Sequence, residues 1–215
     1  MKKICIFDFD GTLYNTMPDV AKRLDQTLKQ EKFPQLTYTE YEQAVGGDIN
    51  QIMDKILKNN STPENIKKLR NTYEKLTKTI PDEASKPYPG IQELLEKIQE
   101  KNIKIAINSN RHTENIQNYT KKHLKDINFT DIKGYNPKTP SKPDPTDLLN
   151  IIEKHKIKKE DAIYIGDTQT DIKTAKNAGI DCVIVTWGQG TSNDYKNKYI
   201  IKAIDKPSQL LELIL

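Results

Sequence analysis

Short apolar runs rich in β-branched residues punctuate the chain at Ile4 to Phe9, Ile103 to Ile107, Ala162 to Ile165 and Cys182 to Trp187. A run that is apolar at nearly every position suits a strand covered on both faces, because a strand with one wet face alternates. Fainter runs lie at Ile127 to Ile132 and Tyr199 to Ile204. Between them the periodicity becomes helical. Ile91, Leu94, Leu95 and Ile98 share a face after Pro89-Gly90, and Leu148, Leu149, Ile151 and Ile152 form a second stripe. Ile172 and Ala175 precede Gly179, a glycine placed to end a helix. Strands alternating with helices predict an α/β fold, a parallel sheet with helices on both faces.

From about Tyr14 to Lys86 no strand pattern is evident. Val20, Leu24 and Leu28 recur at helical spacing, as do Ile49, Ile52, Met53, Ile56 and Leu57, and again Ile66, Leu69, Tyr73, Leu76 and Ile80. Asp48 with Gln51, and Thr39 with Glu42, have the spacing of capping boxes. The pattern predicts a helical domain over 14–86 inserted into an α/β core of 1–13 and 87–215, the chain returning through Pro87-Tyr88-Pro89-Gly90.

Composition narrows the function classes. Charged residues make up 30% of the chain and the formal net charge is +4, but the lysines are dispersed, so no nucleic-acid-binding stripe is expected. The apolar N-terminal run breaks at Asp8 and Asp10, too early for a signal peptide, and no stretch has the length of a membrane span. Cys5 and Cys182 sit in apolar runs without metal-ligand spacing and read as buried thiols in a reducing compartment. A cytoplasmic protein without a membrane partner is expected, as a monomer or homodimer.

Polar chemistry gathers where strands should end. The first run closes in Asp8-Phe9-Asp10-Gly11-Thr12-Leu13, another in Gly166-Asp167 with Asp171 shortly after, and Ile103 to Ile107 leads into Asn108-Ser109-Asn110. In a parallel sheet, ligands bind outside the carboxyl ends of the strands. Carboxylates brought together there repel and call for a cation, and oxygen donors without Cys or His favour Mg²⁺ over Zn²⁺. Ser109 and nearby backbone N–H groups suit a phosphate oxygen. Lys142, fixed in Ser141-Lys142-Pro143-Asp144-Pro145, supplies a cation for phosphate and carboxylate alike.

With these residues in this order, the sequence resembles the haloacid dehalogenase-like hydrolases along essentially its whole length. The four motifs of that superfamily match Asp8-Phe9-Asp10-Gly11-Thr12-Leu13, Ser109, Lys142 in Lys142-Pro143-Asp144-Pro145, and Gly166-Asp167-Thr168-Gln169-Thr170-Asp171. The inserted helical stretch looks like the superfamily's cap domain on a Rossmann-like core. Thr186-Trp187-Gly188 looks like the phosphoglycolate phosphatase-like group, although Asn15-Thr16 stands where that group usually has Asp-Ser.

The resemblance implies a Mg²⁺-dependent phosphatase acting on a small phosphorylated metabolite, phosphoglycolate being the leading substrate. It implies that Asp8 is the nucleophile and Asp10 the general acid and base. Mg²⁺ would be held by Asp8, the Asp10 backbone carbonyl and Asp167. Ser109, Lys142 and the backbone N–H groups of Gly11, Thr12 and Asn110 would stabilise the phosphoryl oxygens, with Arg111 placed to touch substrate. Asp171 would act behind these, on Lys142 or a metal-bound water. Arg23, the Gly46-Gly47-Asp48 turn, Asn50 and Arg70 are candidate specificity contacts in the helical stretch. Two rivals remain: a sugar-phosphate mutase, disfavoured because Val20 and Asn50 stand where mutases carry His and Arg, and a non-catalytic phospho-ligand sensor.

Overall fold

The computed structural model describes residues 1–46 and 48–215 and divides into two compact units, Met1–Asn15 with Lys86–Leu215, and Thr16–Ser85. The first unit begins with strand β1 (Ile4–Phe7), buried at every position, and a two-residue strand β2 (Tyr14–Asn15). The second is helical: α1 (Met17–Gln30), α2 (Tyr38–Ala44), α3 (Ile49–Leu57) and α4 (Pro63–Thr79). The chain then passes through β3 (Lys86–Pro87), α5 (Ile91–Glu100), β4 (Lys104–His112), α6 (Thr113–His123) and β5 (Phe129–Tyr135). It closes with α7 (Thr146–Lys154), β6 (Ala162–Gly166), α8 (Gln169–Ala178), β7 (Asp181–Val185), α9 (Ser192–Tyr195), β8 (Lys202–Ile204) and α10 (Leu211–Ile214).

Among the described residues, six strands form one sheet in the order β5-β4-β1-β6-β7-β8, and every neighbouring pair is parallel. The chain works outward from β1 to β4 and β5, then returns to β1's other side with β6. This is the Rossmann-type order, and its switch point lies between β1 and β6. Alternate residues of β1 face opposite layers. Cys5 and Phe7 pack with Leu94, Leu95 and Ile98 of α5, whereas Ile4 and Ile6 pack with α7 and α8 through Leu148, Ile151, Ile172 and Ala175. Both thiols are fully buried.

Within the helical unit, Leu24, Leu28, Met53, Ile56, Leu57 and Leu69 form a separate core. Asp19 accepts hydrogen bonds from the N–H groups of Ala84 and Ser85 and from Ser85 Oγ, at 2.6–3.3 Å, which ties the unit's last residues to its first helix. Arg23 is not an outward-facing specificity contact. It is 1% exposed, paired with Asp82 and 5.8 Å from the Tyr73 ring centroid. Asn50 and Arg70 line an open groove with Ile66 and Lys67. Asp48 caps α3 with Gln51 as its spacing predicts, whereas α2 is capped by Thr37 with Glu40 rather than Thr39 with Glu42. Gly47 lies outside the described residues.

The strand limits differ from the apolar runs for identifiable reasons. The first strand stops at Phe7 because the Leu13 and Tyr14 N–H groups both donate to Phe9 O, turning the chain back. Strand β4 continues through polar Asn108 to His112 because His112 still pairs with Tyr135 of β5. The β2–β3 ribbon pairs Tyr14 with Pro87 and Asn15 with Lys86, and is too short to leave a period in the sequence. No helix among the described residues is long and apolar enough to cross a membrane.

Ile6 is fully buried at the sheet's centre. Ile6→Ala is expected to lower unfolding free energy by about 2–5 kcal/mol in urea melts. A loss under about 1 kcal/mol would contradict close packing of that layer.

Candidate active site

The carboxyl end of β1 delivers Asp8 to the switch point. The Asp8 N–H donates to Ile165 O at 2.8 Å, so the ladder to β6 runs one residue past the strand and holds Asp8 beside the segment that carries Asp167. The loop that follows is tight. Gly11 has φ +79°, and its N–H donates to Tyr14 O at 2.9 Å. A Cβ there would stand 2.1 Å from Asp167 Oδ2, so glycine is required by the backbone and by the space alike. The Gly11 N–H, which the resemblance assigns to a phosphoryl oxygen, here donates within its own loop.

Asp8, Asp167 and Asp171 form a buried cluster in which one carboxylate oxygen from each lies within 4.8 Å of the others. Lys142 Nζ sits among them, 2.8 Å from Asp8 Oδ1 and 2.7 Å from Asp171 Oδ1, and it donates to Tyr164 Oη at 3.2 Å. Asp171 is saturated from its other side: Oδ2 accepts from the N–H groups of Asp167 and Thr168 and from Thr168 Oγ1, at 3.0–3.2 Å. It is thus the pivot on which α8, Lys142 and the Asp167 backbone are fixed. Asp167 Oδ2 accepts the Gln189 N–H at 2.7 Å, while Thr12 Oγ1 donates to Oδ1 at 3.4 Å.

Among the described residues, ionising all three buried carboxylates against the one ammonium of Lys142 would leave an excess of negative charge, and the titration of each group reflects that cost. Burial pushes the Asp8 carboxyl up to about 7; Lys142 opposes this, while Asp171 and Asp10 add to it. Burial also raises Asp167 well above the carboxylate range, reinforced by Asp171 and Asp8. Burial works against an ionised Asp171 too, but Lys142 and the Thr168 hydrogen bonds prevail and hold it low. Burial works against the charged form of Lys142, yet Asp171 and Asp8 prevail and hold it well above the ordinary lysine value. A cleft of oxygen donors whose carboxyls resist ionisation fits a hard divalent cation, which would restore the ionised state of Asp8 and Asp167.

The remaining motif residues fall around this centre. Ser109 lies two residues past Ile107, the ladder partner of Phe7, and lines a small polar cavity with Asn110 and Lys142. The Asn110 side chain grips the Lys142 backbone, accepting its N–H at 2.8 Å and donating to its carbonyl at 3.2 Å. Asp10 stands outside the carboxylate cluster. Its carboxylate is held by Arg111, with Nε at 2.9 and 3.0 Å from the two oxygens and Nη2 at 2.6 Å from Oδ1. Arg111, anticipated as a substrate contact, is thereby joined to Asp10.

Two participants carry no site role in the sequence reading, although Trp187-Gly188 belongs to the family-like Thr186-Trp187-Gly188 stretch. Tyr164, the one hydroxyl in β6, touches both Lys142 and Asp171 and donates to Asn108 O at 3.0 Å. Its polarity within an aliphatic run was the available signal. The Trp187–Gln189 loop closes over Asp167: Trp187 Nε1 donates to Thr12 O at 3.0 Å, and a Cβ at Gly188 would stand 2.3 Å from Asp167 Oδ2.

Comparison with known proteins follows the same lines. The family model described as haloacid dehalogenase-like hydrolase matches residues 5–185. The chain is 30% identical to the phosphoglycolate phosphatase of Aquifex aeolicus, over 99% of this chain and 96% of that protein. It is 26% identical to that of Vibrio parahaemolyticus, with the same two shares, 99% and 96%. Its fold matches that of a haloacid dehalogenase-like family hydrolase from Streptococcus pneumoniae with a TM-score of 0.89 at 22% identity, covering 100% of this chain and 99% of the other.

The raised Asp8 value fixes the sign of a pH effect. A carboxyl that ionises at about 7 when folded and near 3.8 when unfolded stabilises the fold below 3.8 and loses that contribution as pH rises through 7. Asp171, shifted the other way, matters only below the ordinary carboxylate range. In chelator-treated protein, Asp8→Asn is therefore expected to melt progressively higher than the parent as pH goes from about 5 to about 8, and Mg²⁺ to narrow the gap. A pH-independent gap in thermal melts would contradict the buried-charge description.

Proposed function

Because the chain belongs to the haloacid dehalogenase-like hydrolases, we propose that it is a Mg²⁺-dependent phosphatase that cleaves a small phosphorylated metabolite through a phosphoaspartyl intermediate on Asp8. The observation that carries this is the Asp8–Lys142–Asp171 arrangement with Asp167 beside it, at the switch point of the sheet. Asp8 and Asp167, with the Asp10 backbone carbonyl, are the groups that would hold the cation. Bound there, Mg²⁺ supplies positive charge that offsets repulsion between the Asp8 carboxylate and an anionic phosphoryl group.

In the first step an Asp8 oxygen bonds to phosphorus while the ester oxygen departs with the bonding pair, taking a proton from Asp10. In the second, water bonds to phosphorus, gives a proton back to Asp10, and the phosphorus–Asp8 bond breaks, releasing phosphate and restoring the carboxylate. Lys142 and Ser109 stabilise charge on the phosphoryl oxygens, together with backbone N–H groups at Thr12 and Asn110. Asp171 and Tyr164 fix the Lys142 ammonium, and Asn110 fixes its backbone. Thr16–Ser85 is read as the family's cap domain, which selects among phosphate esters. Phosphoglycolate is the leading substrate, supported by the activity named for the relatives from Aquifex aeolicus and Vibrio parahaemolyticus.

A panel of phosphorylated metabolites tests this directly. Phosphate release is expected with Mg²⁺ and not with chelator, and none from Asp8→Asn. Asp10→Asn is expected to lower kcat/KM for an alkyl phosphate by about 10²–10⁴-fold. Full activity in either variant would refute the corresponding role. Phosphate moved to a second hydroxyl without release would point to a mutase instead.

A further inference from the structure

Asp10 hangs on a loop, its side chain 27% exposed. Proton transfer tolerates few directions of such a carboxylate. Among the described residues, Arg111 grips it directly. Nε reaches both oxygens at 2.9 and 3.0 Å and Nη2 reaches Oδ1 at 2.6 Å, so the guanidinium sets the direction of the carboxylate rather than merely neutralising it.

Arg111 is in turn fixed. Its side chain is 9% exposed, and the guanidinium carbon lies 5.5 Å from the Tyr119 ring centroid and 6.0 Å from that of Phe9. Those rings belong to a cluster with Tyr14, whose hydroxyl donates to Tyr119 O at 2.9 Å. The Arg111 N–H donates to Ser109 Oγ at 3.3 Å. One short stretch of β4 therefore serves two residues of the site: Asn110 clamps Lys142, and Arg111 clamps Asp10. The edge of Arg111 that would grip a substrate carboxylate side-on, Nε with Nη2, is the edge engaged with Asp10.

We propose that Arg111 is the positioning residue for Asp10, acting on the reaction through the direction of that carboxylate and not by binding the substrate. The inference rests on Asp10 being the acid and base of a phosphatase. A lysine at 111 would keep the charge but lose the planar fork.

The test is a double-mutant cycle on kcat/KM with Mg²⁺, using phosphoglycolate as an alkyl ester and para-nitrophenyl phosphate as an ester whose leaving group needs no proton. Arg111→Lys is expected to lower kcat/KM for phosphoglycolate by about 10–100-fold, and to leave that for para-nitrophenyl phosphate within about threefold. In an Asp10→Asn background the same substitution is expected to add almost nothing, because the group it directs is gone. An equal loss on both esters, or a phosphoglycolate loss that persists in that background, would overturn the proposal in favour of a structural or a substrate-binding role. Arg111→Gln repeats the cycle if the lysine variant melts early. Wild-type protein that releases phosphate from neither ester nor from the metabolite panel would instead remove the phosphatase reading, and this proposal with it; activity on another alkyl phosphate moves the cycle to that ester.

Discussion

The Lys142 ammonium holds together a site whose other buried charges repel one another. It stands 2.8 Å from Asp8 and 2.7 Å from Asp171, with Asp167 completing the acidic cluster. Burying carboxylates this closely is unfavourable unless each meets a cation or a dense set of donors. Asp171 has both, Asp8 has the lysine, and Asp167 has backbone and hydroxyl donors from two loops. The shortfall of positive charge is the physical basis for the proposed divalent cation, whose charge would offset the repulsion among these carboxylates.

The sheet makes that arrangement possible. The switch point lies between β1 and β6, so Asp8 and Asp167 come from adjacent strands although they are distant in sequence. Residues that the motifs leave as single letters are joined by backbone clamps. Asn110 holds both the N–H and the carbonyl of Lys142, and the capping box of α8 is closed by Asp171, the residue that also pairs with Lys142. Helix capping and lysine placement are one interaction, so disturbing either disturbs the other.

Much of this was legible in the chain. Buried strands announced themselves as continuous apolar runs, Asp8 and Asp167 stood where such runs end, and Lys142 stood out in its proline-bounded loop. What stayed hidden was pairing that leaves no periodic trace. Strand β4 runs through polar residues because β5 still bonds to it, and the β2–β3 ribbon is two residues long on each side. Arg23, a candidate specificity contact by sequence, lies buried in the helical unit with Asp82. The partnership of Arg111 with Asp10 links positions 101 apart in sequence, which spacing alone does not reveal. Tyr164 was legible only as a misplaced hydroxyl.

Rapid acid quench during turnover of phosphoglycolate, followed by peptide mass analysis, tests directly whether Asp8 forms a bond to phosphorus. The expected result is transient phosphate on the peptide that carries Asp8, absent from the Asp8→Asn protein. Phosphate release at the normal rate with no adduct at any quench time, or an adduct on another residue, would contradict it.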